Sequence, residues 1–184
     1  PESSRKFGRL STLGQSSAES NVVVNPVVTS AGTFAFAVYH SLPDFPGALG
    51  EVANGLPIEV TATSTEFAAP VTATLRLFPP PVVLIHGVWS NGDAWKDFGQ
   101  KLEHDGFHVC DPECRVDYGS IDRAPTFDPY VRNIAVRSLQ DAVPAALKDR
   151  RAAGIAVSKV DVVGHSMGSL VTRSRTKAHF GTPY

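Results

Sequence analysis

The sequence predicts an α/β fold in which a mostly parallel sheet is flanked by helices and preceded by a β-rich N-terminal segment. The first observation is that strand and helix patterns alternate over residues 82–179, in the order β-α-β-α-β-α. This order is typical of parallel sheets with crossover connections. The second is that residues 22–78 hold short β-branched or alternating runs separated by Gly and Pro, which is typical of short strands and turns.

These observations divide the chain into three segments. Residues 1–20 are Ser-rich, polar and aperiodic, and they predict a flexible tail. Residues 21–78 form the β-rich segment, and residues 79–184 form the α/β core. Three consecutive prolines, Pro79 to Pro81, mark the boundary because they favour extended geometry and remove backbone donors. The strands predicted in the β-rich segment are Val22–Val28, Thr33–Tyr39, Ile58–Thr63 and Val71–Phe78, with a loop over Pro43–Gly55.

Within the α/β core, the apolar spacing predicts each element in turn. A helix from Pro129 is expected to have Asp128 as its N-cap, a kink at Pro144 and an end before Gly154. The strands predicted are Val82–His86, Phe107–Cys110 and Val157–Val163, and the other helices are Ala94–Asp105 and a final one reaching about His179.

Composition excludes several classes of function. The chain has 184 residues, 42% of them apolar, and a formal charge of −1, so it offers no electrostatic basis for binding nucleic acid. Its apolar runs are too short for a transmembrane segment. Cys110 and Cys114 fit either a local disulfide or free thiols, and the histidines supply no convincing pair for a zinc site.

The strongest chemical signal is Gly164-His165-Ser166-Met167-Gly168, which fits the pattern G-x-S-x-G. The motif follows a predicted strand and precedes a predicted helix, which is the setting of a nucleophile elbow. Such a turn holds the serine in a strained backbone conformation with its hydroxyl exposed. Ser166 is therefore the predicted nucleophile of acyl transfer.

A second motif, His86-Gly87-Val88-Trp89, directly follows the first strand of the core. Acyl transfer develops negative charge on the carbonyl oxygen, which two backbone amides can stabilise. The amides predicted for this role are those of Met167 and Val88. His86 is expected to order the loop through hydrogen bonds. Trp89 is assigned to substrate binding, with packing on the sheet as the alternative; for Trp95, core packing is favoured.

Together, VVLIHGVWSNGDAW and VDVVGHSMGSLVTR resemble a bacterial lipase or esterase of the α/β-hydrolase superfamily. The resemblance covers about residues 82–180. It implies hydrolysis of a small-molecule or lipid ester through an acyl-serine, with no metal or cofactor, and it slightly favours a secreted or extracytoplasmic enzyme. His165, beside the nucleophile, is assigned to substrate binding. Residues 21–78 are either a small β domain or the leading antiparallel strands of the same sheet.

The chain departs from the family pattern after the nucleophile. The family places the acid and the histidine of its triad after the serine, yet residues 167–184 contain no Asp or Glu and only His179. Along a straight helix that histidine would lie about 20 Å from Ser166. His165 is expected to diverge from the hydroxyl of its neighbour.

Three interpretations follow. The preferred one is a C-terminally truncated fragment with an incomplete hydrolase core. The second is a short enzyme with a substitute base, for which His86 is the best internal candidate. The third is an inactive binding or oligomerisation module. A sheet edge left uncovered by missing strands would allow a homo-oligomer.

Overall fold

A computed structural model describes residues 8–41, 53–65, 68–118 and 136–180 of the chain. Contacts within the chain group it into two compact units, residues 1–78 and 79–184.

The described part of the first unit consists of short antiparallel strand pairs. Strand β1 pairs with β4, β2 with β3, and β5 with β6. These described strands form three separate two-stranded sheets, which favours a small β domain over the leading antiparallel strands of the same sheet. The strands are β1 (Arg9–Thr12), β2 (Val27–Thr29), β3 (Gly32–Phe34), β4 (Ala37–His40), β5 (Leu56–Ala62) and β6 (Val71–Leu77).

The flexible tail predicted over residues 1–20 needs a correction, because β1 lies within it. Strand β1 pairs along its whole length with β4. Ser11 is buried, and its hydroxyl lies 2.8 Å from His40 Nε2. The partners of β1 are distant in sequence, so the local composition of the tail does not reveal them. Residues 1–7 lie outside the described residues.

The predicted strand Thr33–Tyr39 is divided between β3 and β4, and only the end of Val22–Val28 forms a paired strand, in β2. Strand β3 pairs with β2 across a tight turn, whereas β4 pairs with β1. The Thr29 hydroxyl accepts a hydrogen bond from the Ala31 amide at 3.2 Å and donates one to the Gly32 carbonyl at 3.0 Å. The predicted strands Ile58–Thr63 and Val71–Phe78 correspond to β5 and β6, whereas most of the predicted loop over Pro43–Gly55 lies outside the described residues.

The second unit is built on a parallel sheet of three described strands in the order β8-β7-β9. All four residues of the central strand β7 are buried, as the continuous apolar run predicts for a strand of a parallel sheet. The chain order is β7 (Val82–Ile85), a 3-10 helix (Gly92–Trp95), α1 (Lys96–His104), β8 (Arg115–Val116), α2 (Val136–Ala152), β9 (Asp161–Gly164) and α3 (Met167–Phe180). This order confirms an α/β arrangement with a parallel sheet for the described part of the unit.

One predicted strand is wrong: Phe107–Cys110 has no strand structure, and β8 forms further along the chain. The carbonyl of His108 still accepts a hydrogen bond from the Val82 amide at 2.8 Å. The chain then turns through Cys110–Cys114, and regular pairing with β7 begins at Arg115. Strand β9 is also shorter than the predicted Val157–Val163.

The helices agree more closely with the prediction. Helix α1 and the preceding 3-10 helix cover the predicted Ala94–Asp105. The described start of α2 is Val136, so the predicted cap at Asp128 lies outside the described residues. Pro144 lies inside α2, and Gly154 follows the helix with φ +78°. No helix in the described residues is long and apolar enough to cross a membrane.

The apolar core of the second unit surrounds β7. Helix α2 buries Leu139, Ala142 and Ala146 at helical spacing, as the apolar spacing that predicts this helix requires over its described part. Within the described residues, β9 pairs on one side only, with β7. Pairing of that edge with a second copy stays a prediction. The other buried members of the core are Val82, Val83, Leu84, Ile85, Val109, Cys114, Val116, Tyr118, Met167 and Val171.

Cys110 and Cys114 form a disulfide, with their Cα atoms 5.0 Å apart. The turn that they close is reinforced by the Cys114 amide, which donates to the Cys110 carbonyl at 2.6 Å. Cys114 is fully buried, and its own carbonyl accepts from the Leu84 amide at 2.8 Å. The cross-linked turn therefore places the start of β8 beside β7.

Reducing this disulfide should lower the free energy of unfolding of the second unit by about 2 kcal/mol, because the bond closes only a short loop. Urea unfolding of the oxidised and reduced chain, followed by tryptophan fluorescence, measures the difference. Both tryptophans, Trp89 and Trp95, lie in this unit. A Cys110→Ala variant should match the reduced chain and be insensitive to reductant. Identical unfolding curves with and without reductant would contradict the prediction.

Candidate active site

Ser166 lies in a tight turn between β9 and α3. Its φ of +52° is in the left-handed region, which costs a non-glycine residue about 1–2 kcal/mol. The turn is held by the His165 amide, which donates to the Ile85 carbonyl, and by the Ser169 amide, which donates to the Ser166 carbonyl, both at 3.0 Å. The Ser166 side chain is exposed. The fold thus holds a strained, solvent-accessible serine at the start of a helix.

Two glycines of the motif allow the backbone segments to come this close. A Cβ on Gly168 would lie 2.7 Å from the His86 carbonyl oxygen and closer still to that of Ile85. A Cβ on Gly164 would lie 2.7 Å from the Ser169 amide nitrogen. These neighbours are backbone atoms, which cannot rotate away as a flexible side chain can. Both positions therefore require glycine.

The loop of residues 86–91 follows β7 and meets the turn at Ser166. A Cβ on Gly87 would lie 2.8 Å from His165 Nδ1 and 3.1 Å from Ser166 Cβ. Beyond this contact, Trp89 has φ +57° and is 85% exposed. The two sequence motifs are therefore neighbours in space, although 77 other residues separate Gly87 from His165 along the chain.

Two backbone amides beside this contact have no partner among the described residues. Met167 is the first residue of α3, so its amide has no acceptor within the helix. The Val88 amide, next to Gly87, likewise donates to no described backbone acceptor. The start of α3 also favours negative charge through the helix dipole. The arrangement can accommodate an anionic oxygen near Ser166.

His86 is buried, with 1% of its surface exposed, and both ring nitrogens have partners. Its Nε2 accepts from the Tyr118 amide at 3.1 Å, so the proton lies on Nδ1, which donates to the Gly87 carbonyl at 2.7 Å. Asp117 Oδ1 is 3.6 Å from Nε2, beyond hydrogen-bond distance. This environment agrees with support of the 86–91 loop. It contradicts the interpretation of His86 as a substitute base, because neither nitrogen is free to accept a proton from Ser166.

None of the other described histidine rings is hydrogen-bonded to the Ser166 hydroxyl. His40 contacts Ser11 within the first unit, and His108 Nε2 lies 2.6 Å from Asp149 Oδ2. His165 is exposed and lies against Gly87, and its expected divergence from the Ser166 hydroxyl stays a prediction. The described residues contain no group of His, Cys, Asp or Glu that could hold a metal ion.

The two tryptophans of the second unit have different environments. Trp95 packs against the core and lies 5.5 Å, between ring centroids, from Phe98, which confirms its predicted packing role. Trp89 is exposed instead of packed on the sheet. Its assignment to substrate binding therefore stays open to experiment.

Two residues that hold the 86–91 loop and the residues just after it are not among the candidates predicted from the sequence. Tyr118 stacks on the His86 ring, with centroids 3.9 Å apart. Arg115, with 13% of its side chain exposed, lies 3.6 Å from Asp93 Oδ1 and 3.4 Å from the Gly92 carbonyl, just beyond the loop. The only sequence signal is the alternation of charged and apolar or aromatic residues over Arg115–Tyr118.

Asp161 begins β9, the strand that leads to Ser166. The side chain keeps part of its surface in solvent, but burial of the rest raises the pKa of its carboxyl group. The ionised form is therefore less favourable in the folded chain than in the unfolded chain. This free-energy penalty is absent at pH values below the carboxyl pKa of the unfolded chain, and it is complete at pH values above the carboxyl pKa of the folded chain.

Asp161→Asn should therefore be more stable than the wild type at pH 7, and the difference should shrink as the pH falls through the carboxyl pKa range. Urea unfolding of both proteins from pH 7 to pH 3 measures this convergence. A stability difference that does not change with pH would show that ionisation of Asp161 carries no penalty.

Gly168→Ala should destabilise the second unit by about 2 kcal/mol or more, because the new methyl group would overlap backbone carbonyls. Gly99→Ala is the matched control, since Gly99 is also helical and its Cβ would make ordinary contacts, 3.6 Å from Leu84 Cδ1. It should be neutral or stabilising by up to about 1 kcal/mol. Thermal unfolding of the two variants tests the contrast, and equal effects would contradict the close approach at Gly168.

A model of the alpha/beta hydrolase family matches residues 82–179. No curated protein and no solved structure matches the chain. The matched residues include the parallel sheet, the 86–91 loop and the turn at Ser166. They make up more than half of the sequence, and the chain therefore belongs to the alpha/beta hydrolase family.

Proposed function

We propose that this chain carries the nucleophile and the oxyanion site of a serine hydrolase that acts on carboxylic esters. The observation that carries the proposal is the exposed Ser166 at φ +52°, in contact with the 86–91 loop through Gly87. Strain at a functional turn is typical of a nucleophile elbow. The family membership supports hydrolysis in general, and the ester substrate is the narrower part of the proposal.

In the proposed reaction, Ser166 Oγ attacks the acyl carbon of the ester. The carbonyl oxygen becomes an oxyanion, and the amides of Met167 and Val88 stabilise it. Removing one such donor typically costs about a hundredfold to a thousandfold in rate. The Oγ proton passes to a base and then to the departing alcohol, and water hydrolyses the acyl-serine in a second, equivalent step.

The base that would accept the Ser166 proton is not identified among the described side chains. Both nitrogens of His86 are occupied, and no other described histidine side chain forms a hydrogen bond with the Ser166 hydroxyl. The amides of the proposed oxyanion site, by contrast, need no proton transfer to act. Such a site can retain part of the catalysis when a triad is incomplete.

Apolar groups near the turn suggest the kind of ester. Val88 is 40% exposed, Trp89 is 85% exposed and Leu170, on the first turn of α3, is 50% exposed. Exposed apolar side chains beside a polar reaction centre suit the acyl or alkyl part of a small-molecule or lipid ester. His165, also exposed, is proposed to contact the substrate.

The alternative is an inactive hydrolase-like module that serves in binding or oligomerisation. The observation that favours it is that no described histidine side chain forms a hydrogen bond with the Ser166 hydroxyl. Under this alternative the turn at Ser166 is a structural feature without reactivity. A covalent probe of the serine separates the two functions.

Ser166 should form one covalent adduct with a fluorophosphonate probe, observed by intact-mass spectrometry of the full chain. The reaction should be lost in Ser166→Ala. It should be kept in Ser174→Ala, which changes an exposed serine of α3, the helix that follows Ser166. Labelling that is slow alone but faster with added imidazole would indicate that only the base is lacking.

Adduct formation would support the serine nucleophile, and hydrolysis of a nitrophenyl ester by the same sample would support the ester substrate. A folded wild-type chain that remains unlabelled with and without imidazole would overturn the proposal in favour of the inactive module. Equal labelling of wild type and Ser166→Ala would also overturn it.

A further inference from the structure

We propose that Tyr118 is a positioning residue for the Val88 amide and that it acts through His86. The inference rests on the proposed function, in which the Val88 amide binds the oxyanion. Tyr118 itself does not contact the reacting atoms. Its role is to fix the orientation of the backbone that presents this amide.

Tyr118 contacts His86 in three ways. Its ring stacks on the imidazole, with centroids 3.9 Å apart at an interplanar angle of 28°. Its backbone amide donates to Nε2 at 3.1 Å, and its hydroxyl donates to the His86 carbonyl. The two residues are each 1% exposed. One buried side chain therefore orients both the ring and the backbone of His86.

These contacts fix two successive peptide groups. The Tyr118 hydroxyl holds the carbonyl of His86 and so orients the peptide between His86 and Gly87. His86 Nδ1 donates to the Gly87 carbonyl at 2.7 Å and so orients the peptide between Gly87 and Val88. The C=O and N–H of a planar trans peptide point in opposite directions. The bond to the Gly87 carbonyl therefore sets the direction of the Val88 N–H.

Tyr118 is well placed for this role because the segment that carries it is itself anchored. Tyr118 is the second residue after β8, and β8 pairs in parallel with the end of β7. Arg115 Nη2 lies 2.5 Å from Asp111 Oδ1, and Arg115 Nη1 lies 3.4 Å from the Gly92 carbonyl. The segment thus holds the 86–91 loop at its start, through Tyr118, and just past its end, through Arg115.

The first test is an NMR measurement that does not depend on reactivity. In the wild-type chain, the nitrogen spectrum of the His86 ring should show the tautomer with its proton on Nδ1. In Tyr118→Phe, the ring stacking and the backbone amide remain while the hydroxyl is lost. The amide resonance of Val88 should shift or broaden in that variant, and it should be unchanged in Tyr39→Phe, a substitution in β4 of the first unit.

The second test measures the rate at which the fluorophosphonate labels Ser166. Tyr118→Phe should lower the maximal labelling rate about tenfold, since a displaced donor loses part of the stabilisation that a removed donor loses entirely. The probe concentration at half-maximal rate should stay within about twofold, because an amide that acts mainly on the developing charge affects the rate more than binding. Tyr39→Phe should keep the wild-type rate.

The outcomes separate this inference from the proposed function. An Nε2-protonated His86 ring, or an unchanged Val88 amide in folded Tyr118→Phe, would overturn the role of Tyr118, whatever the labelling rate. If wild-type Ser166 is not labelled at all, the proposed function fails, and the NMR result alone decides whether Tyr118 positions Val88. If Tyr118→Phe does not fold, the wild-type ring tautomer decides.

Discussion

The close approach between the end of β7 and the turn at Ser166 is the constraint on which the site depends. Glycines from two distant segments, Gly87 and Gly168, meet backbone and side-chain atoms at distances that leave no room for a Cβ. This approach brings the exposed serine next to the loop that carries the Val88 amide. It also requires β7 and β9 to be adjacent and parallel, because their register sets which residues meet at the carboxyl ends of the strands.

A buried imidazole beside this contact imposes a second requirement. An unpaired polar group in a core costs about 1–3 kcal/mol, so each nitrogen of His86 needs a partner. Gly87 and Tyr118 supply these partners, and the same bonds order the 86–91 loop. Strand β8 is only two residues long, yet the disulfide turn before it and the contacts of Arg115 hold it in place. A short strand can therefore position Tyr118.

The two units differ in how they are stabilised. In the described part of the first unit, Ile58 is the one buried large apolar side chain, whereas Val23 is 91% exposed and Val28 is 80% exposed. Its strands are joined mainly by backbone pairing. In the second unit, one cluster of buried apolar residues surrounds β7. Because burial of apolar surface is the main favourable term in folding, the stability of the second unit comes largely from this cluster.

The sequence alone determined the elements that depend on local patterns. The buried run at β7, the stripe on α2 and the strand-turn-helix setting of Ser166 were all predictable, because periodicity and glycine placement are local properties. Only the tertiary structure decided the features that depend on distant partners. Strand β1 pairs with β4, whose residues lie far along the chain. Strand β8 begins directly after the turn that the disulfide closes. His86 is not available as a base because the Tyr118 amide donates to Nε2. Pairing, burial and the tautomer of a ring are set by neighbours that no local pattern specifies.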